Sequence, residues 1–84
     1  MVHKKKVADW QPLPSDIQWT LNLVRSLKVG GTWGTSFARF KKVSENEFVL
    51  EDVNHDPFEM AEENIEKVEK VFSIIGVKLD RRGK

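Results

Sequence analysis

Apolar residues recur along the chain with two different spacings, and the switches between them mark out the elements. From about Asp16 to Val29, the residues Ile17, Leu21, Val24 and Leu27 fall on one stripe, with Leu23 beside it. That three-to-four-residue repeat is the mark of an amphipathic helix. Pro12-Leu13-Pro14 ahead of it favours an extended approach, because proline disfavours helix in the residue before it. Ser15 is placed to cap the helix, with Gln18 completing a capping box and Asp16 in the first turn, where the helix dipole favours an acid. Trp19 lies on the flank, within reach of Pro14. Gly30-Gly31 stops the helix, since glycine accepts the left-handed conformation that termination often needs.

The spacing then drops to two. Thr32 to Val43 reads as one strand, with Trp33, Thr35 and Phe37 alternating on one face. Phe40 breaks that phase, which predicts a bulge or twist near Ala38-Arg39. After the turn residues Ser44-Glu45-Asn46, Glu47 to Val53 reads as a second strand. Phe48 and Leu50 point one way and Val49, Glu51 and Val53 the other, and the two strands form an antiparallel hairpin.

Helical spacing returns with Asp56 as cap, Pro57 at the first helical position and Glu59 completing a second capping box. Phe58, Ala61, Ile65, Val68, Phe72 and Ile75 form the apolar stripe, which Met60 and Val71 widen. Glu63 with Lys67 and Glu66 with Lys70 are spaced for ion pairs on the opposite side. Gly76 ends this helix, and Val77-Lys78-Leu79 is long enough for a short third strand. The order α-β-β-α-β predicts an α+β two-layer sandwich: a small, mostly antiparallel sheet with two helices on one face. A parallel third strand would make strand two, helix two and strand three a crossover unit.

The length of 84 residues allows a single domain, placed at 10–80 between a basic tail at 1–9 and a short basic tail at 81–84. Cysteine is absent, so disulfides and thiolate chemistry are excluded. The apolar runs are too short to span a membrane and none resembles a secretory leader, so the expected compartment is the cytoplasm. A net charge of +1 argues against a uniformly basic nucleic-acid protein. That near-neutral total hides a segregation. Residues 1–42 carry eight basic and two acidic side chains, 43–69 one basic and ten acidic, and 70–84 five basic and one acidic. Such blocks either face one another within the fold or steer a charged partner.

Candidate chemistry is sparse. Tyrosine and cysteine are missing, and the histidines are His3 in the tail and His55 before the second helix. His55 with Asp52 and Asp56 has the residue types of a general base or metal site. However, Asp56 is accounted for as a helix cap, and no second histidine supports a metal. Neither a catalytic set, a metal nor a cofactor is therefore expected. The second helix presents Glu59, Glu62, Glu63 and Glu66, read either as a solvated face or as an acidic docking surface for a basic protein partner. The stretch from Gly30 to Ser36 packs three glycines, Trp33 and three hydroxyls into seven residues. It is either a helix stop whose Trp33 fills the core, or a ligand cradle. In the second case Gly31 and Trp33, with Arg39, Lys41 and Lys42 of the hairpin, would hold a small nucleotide or single-stranded nucleic acid.

The run from Leu23 to Gly34, with its Gly30-Gly31-Thr32-Trp33 turn, is followed by a hairpin and by a helix ending Ile74-Ile75-Gly76-Val77. This layout resembles small uncharacterised proteins of phages and mobile elements, over roughly residues 17–79. The resemblance brings no established activity. It implies an accessory viral protein that acts by binding, for instance as an inhibitor of a host defence factor in the host cytoplasm. The leading expectation is thus a non-enzymatic protein-binding module. The alternative is the nucleotide or nucleic-acid binder. The open edges of a three-stranded sheet add a homodimer to the expected partners.

Overall fold

A computed structural model of the chain describes residues 10–81. The tail at 1–9, with His3, and residues 82–84 lie outside the described residues. The elements are α1 (Pro14–Ser26), β1 (Thr32–Gly34), β2 (Ala38–Ser44), β3 (Glu47–Val53), a 3-10 turn (Pro57–Glu59), α2 (Ala61–Ile74) and β4 (Lys78–Asp80). The sheet runs β1-β2-β3-β4, with β1–β2 and β2–β3 antiparallel and β3–β4 parallel. The α+β architecture expected from the periodicity is therefore present, and α2 makes the crossover between the parallel strands.

One layer is the sheet and the other is the helix pair. Phe40 of β2 and Phe48 and Leu50 of β3 alternate onto a single face and are fully buried. Val24 of α1 and Ala61, Ile65 and Phe72 of α2 close over them in one cluster. Phe72 packs on Phe48 with ring centroids 5.1 Å apart, and Trp33 stacks on Phe40 at 5.0 Å. Burying such rings removes a large apolar area from water, which is the main force holding so short a chain together.

The single long strand expected over Thr32–Val43 is instead two strands, so the sheet has four members rather than three. Thr35 is the cause. Its hydroxyl donates to the Ala38 carbonyl at 2.8 Å and accepts from the Phe37 and Ala38 amides, a side-chain-closed turn that competes with continued strand. The irregularity expected near Ala38-Arg39 lies between Arg39 and Phe40, but the extra residue is Glu51, on the opposing strand. That bulge reverses the alternation of β3, so Val53 pairs with Ala38 and packs against the core instead of pointing away.

Helix ends differ from expectation too. At α1 it is Asp16, not Ser15, that caps: its carboxylate accepts from the Leu13 amide at 3.0 Å. Gln18 donates along the helix to Asn22 instead of reaching back. Trp19 packs against Trp33, with ring centroids 5.9 Å apart. Asp56 does cap, accepting from the Phe58 amide at 2.9 Å, but the turn it caps is the 3-10 turn. The true helix begins after Met60, whose left-handed backbone (φ 48°) separates the two. Phe58 consequently leaves the apolar stripe altogether and is 91% exposed.

Between α1 and β1 the two glycines do different work. Gly30 turns the chain at φ 93°, a value that side chains resist. Gly31 makes room: a Cβ there would lie 3.0 Å from the Lys28 carbonyl oxygen and 3.1 Å from a Leu27 methyl.

Candidate functional site

The 3-10 turn between β3 and α2 is tied down by side chains at every step. Asn54 donates to the Ser36 carbonyl at 2.8 Å while its own oxygen accepts from the Asp56 amide at 2.9 Å. Asp56 receives the Phe58 amide, and its carbonyl receives the Glu59 amide at 3.0 Å. Asn64 of α2 donates to the Glu59 carbonyl at 2.7 Å. The outcome is a braced loop whose apex is an aromatic ring in water. Among the described residues Phe58 is the most exposed large apolar side chain, and Met60 beside it is 44% exposed.

Carboxylates surround this apex. Asp56 and Glu59 belong to the turn, and Glu62 and Glu63 line a cleft of about 360 Å³ next to it, together with His55. Of the four glutamates expected to form a docking face, Glu59, Glu62 and Glu63 gather here, and Glu66 is exposed one turn further along α2. Glu62 is not free. Arg81, counted with the tail in the sequence, folds back on α2 and pairs with Glu62 and, at 2.7 Å, with Glu69. Burial works against the Arg81 charge, but hydrogen bonds and attraction from Glu69 and Glu62 outweigh it and raise its pKa. Part of the negative block is thereby answered by the positive block that follows it.

A second feature lies between α1, the β1–β2 turn and α2. All three tryptophans of the chain, Trp10, Trp19 and Trp33, line one open groove of about 260 Å³ with Phe37. Trp19 is 58% exposed, whereas Trp33 rests on the core beneath it. Two charges flank the groove. Lys67 holds its ammonium 5.5 Å from the centre of the Trp10 ring, a cation–π contact, and Asp16 also lines the groove, with its carboxylate on the Leu13 amide. Lys70 fixes the Trp10 wall by donating to its carbonyl. The spacing of Trp10, Trp19 and Trp33 in the sequence follows no single period, so their convergence is a tertiary fact. The aromatic residues flanking α1 were the signal that could have suggested it.

The residues proposed from sequence for a nucleotide are dispersed. Trp33 faces the helix layer, while its strand neighbour Thr32 pairs with Lys41, and Gly34 with Arg39, on the opposite face of the sheet. Arg39 lies beside Glu51 and Asp52, at 3.6 and 4.0 Å. Gly31 is a close-packing position at the end of α1. Lys42 is 2% exposed; its ammonium donates to the Val24 and Leu27 carbonyls at 2.6 and 2.7 Å and so caps the C-terminal end of α1. His55 is exposed, and Asp52 belongs to the sheet with Arg39, away from the cleft that His55 lines. Among the described residues no group of three or more His, Asp or Glu is placed to hold a metal ion, and no helix is long and apolar enough to cross a membrane.

The chain matches no protein-family model, no curated protein and no solved structure, so its reading rests on its own geometry.

Proposed function

We propose that this chain is a non-enzymatic protein-binding module whose docking surface is the braced turn at Phe58 and the acidic start of α2. The observation that carries the reading is Phe58 itself: a phenyl ring 91% exposed, on a backbone held by five side-chain and main-chain hydrogen bonds. Leaving that ring in water forgoes the roughly 1.5–3 kcal/mol that burying it would contribute. Pre-organising the loop lowers the ordering cost when a partner covers the ring. An aromatic anchor inside a charged rim has the anatomy of a binding hot spot. Asp56, Glu59, Glu63 and Glu66 define the partner chemistry, an apolar pocket edged by lysine or arginine on another protein. In the accessory role that the phage resemblance implies, occupying such a pocket would block a host factor.

The test compares capture by the intact chain, by Phe58→Ser, and by Glu63→Lys with Glu66→Lys. The reading expects one captured protein that is lost with Phe58→Ser and that binds more weakly with the lysine pair, most clearly at low salt. Capture indifferent to both changes refutes it. Unchanged thermal melts of the variants separate this outcome from misfolding. A single nucleotide could not meet Trp33 and the pair Arg39 and Lys41 together, because they occupy opposite faces of the sheet.

A further inference from the structure

We infer that the pocket taking Phe58 belongs to a second copy of this chain: two protomers exchange their Phe58 rings, each into the tryptophan groove of the other. The inference rests on Phe58 being a docking anchor and puts a second copy of this chain in the place of the separate protein.

Three observations support it. The first is fit. The groove offers about 260 Å³ lined by Trp19, Trp33, Phe37 and Val68, and an apolar protein cavity of about 150 Å³ already admits benzene. A phenyl ring therefore enters with room for its approach. The second is charge. Phe58 stands between the carboxylates of Asp56 and Glu59, and the groove carries the Lys67 ammonium at its Trp10 wall. Asp16, which also lines the groove, keeps its negative charge while accepting the Leu13 amide, so the complementarity is local to the Lys67 side. The third is continuity. Phe37 lines the groove, and its carbonyl accepts from the Asn54 amide at 2.8 Å, so the loop that leads to Phe58 starts from the groove wall. A protruding ring and a recess joined by one short loop can be exchanged about a two-fold axis, and that closes the assembly at two copies. A relation without that axis would run on into open polymers.

Sedimentation velocity of the full chain, from micromolar to near-millimolar concentration, reads the result. The expected outcome is a concentration-dependent dimer with tryptophan emission shifted to shorter wavelength as it forms. Phe58→Ser and Trp19→Ala should each weaken dimerisation roughly tenfold or more. Mixing the two variants should restore a heterodimer, because one intact ring still meets one intact groove. A misfolded variant would not give that rescue. A wild-type chain that stays monomeric throughout overturns the inference, as do a dimer insensitive to either substitution, a mixture without rescue, and open polymers. A monomeric wild type whose capture of another protein still depends on Phe58 overturns the exchange alone and leaves the docking role of the ring intact.

Discussion

Replacing Lys42 by methionine isolates one ammonium group whose loss should be felt across the whole domain. The stem of Lys42 lies in the core, and methionine keeps most of its apolar volume. What disappears is a pair of charge-assisted hydrogen bonds to the Val24 and Leu27 carbonyls, at 2.6 and 2.7 Å, at the negative end of the α1 dipole, together with a 3.7 Å ion pair to the exposed Glu45 that contributes little. Hydrogen bonds to charged groups contribute roughly 1.5–3 kcal/mol, and an orphaned buried carbonyl costs about 1–3 kcal/mol. The Leu27 carbonyl is close enough to the surface for water to replace its donor, whereas the bond to Val24 is buried. A net loss of about 2–4 kcal/mol follows from those terms. Domains hold about 0.05–0.15 kcal/mol per residue, so that is a large share of what a chain of this length has. At about 4–8 °C per kcal/mol for a domain of this size, the melting midpoint should fall by roughly 8–32 °C. Circular dichroism melts and urea titrations measure it. Lys41→Met, one residue along and on the opposite face, is the control and should stay within about 0.5 kcal/mol of wild type. A Lys42→Met protein that melts within a few degrees of the control would refute the argument that this ammonium pins α1 to the sheet.

Other substitutions probe the turns and the acidic face. Gly31→Ala should lower stability by about 1–3 kcal/mol, since the new methyl meets the Lys28 carbonyl and a Leu27 methyl with little room to yield; urea midpoints report it. At Met60 the left-handed backbone predicts that Met60→Gly is more stable than Met60→Val by at least about 1 kcal/mol in paired melts, because a β-branched side chain fits that conformation worst. Arg81→Ala should cost less than about 1 kcal/mol, as expected of partly exposed ion pairs, and the loss should shrink as salt is raised in thermal melts. The same change uncovers Glu62 and Glu69 and should speed association with a basic partner in stopped-flow mixing at low salt.

Much of the architecture was legible because it follows from spacing alone. Ile65, Phe72, Phe48 and Leu50 are buried where their periods put them. The departures all come from short-range polar bonds that compete with those periods. Thr35 closes a turn inside what reads as a continuous strand, and Asp56 and Asn54 hold a 3-10 turn where the stripe invites helix. Phe58 therefore belongs to the apolar stripe by spacing, although the protein holds it in water. The acidic residues near it were legible as a cluster, but their partial neutralisation by Arg81 depends on a chain reversal through β4 that spacing does not reveal. Lysine is rarely buried, so nothing in the spacing marks Lys42 as a core residue; only the proximity of the α1 terminus to β2 gives its charge a destination.

The parallel pairing of β3 with β4 has a kinetic consequence. Glu47, Phe48 and Val49 meet Lys78, Leu79 and Asp80 across an intervening turn and helix. The β1–β2 and β2–β3 hairpins close over short loops, whereas this last seam must wait for α2 to dock. Assembly should therefore end at β4, and spontaneous opening should begin there. Its amides should trade hydrogen with solvent long before those of β2 and β3, making the closing strand the domain's first point of release.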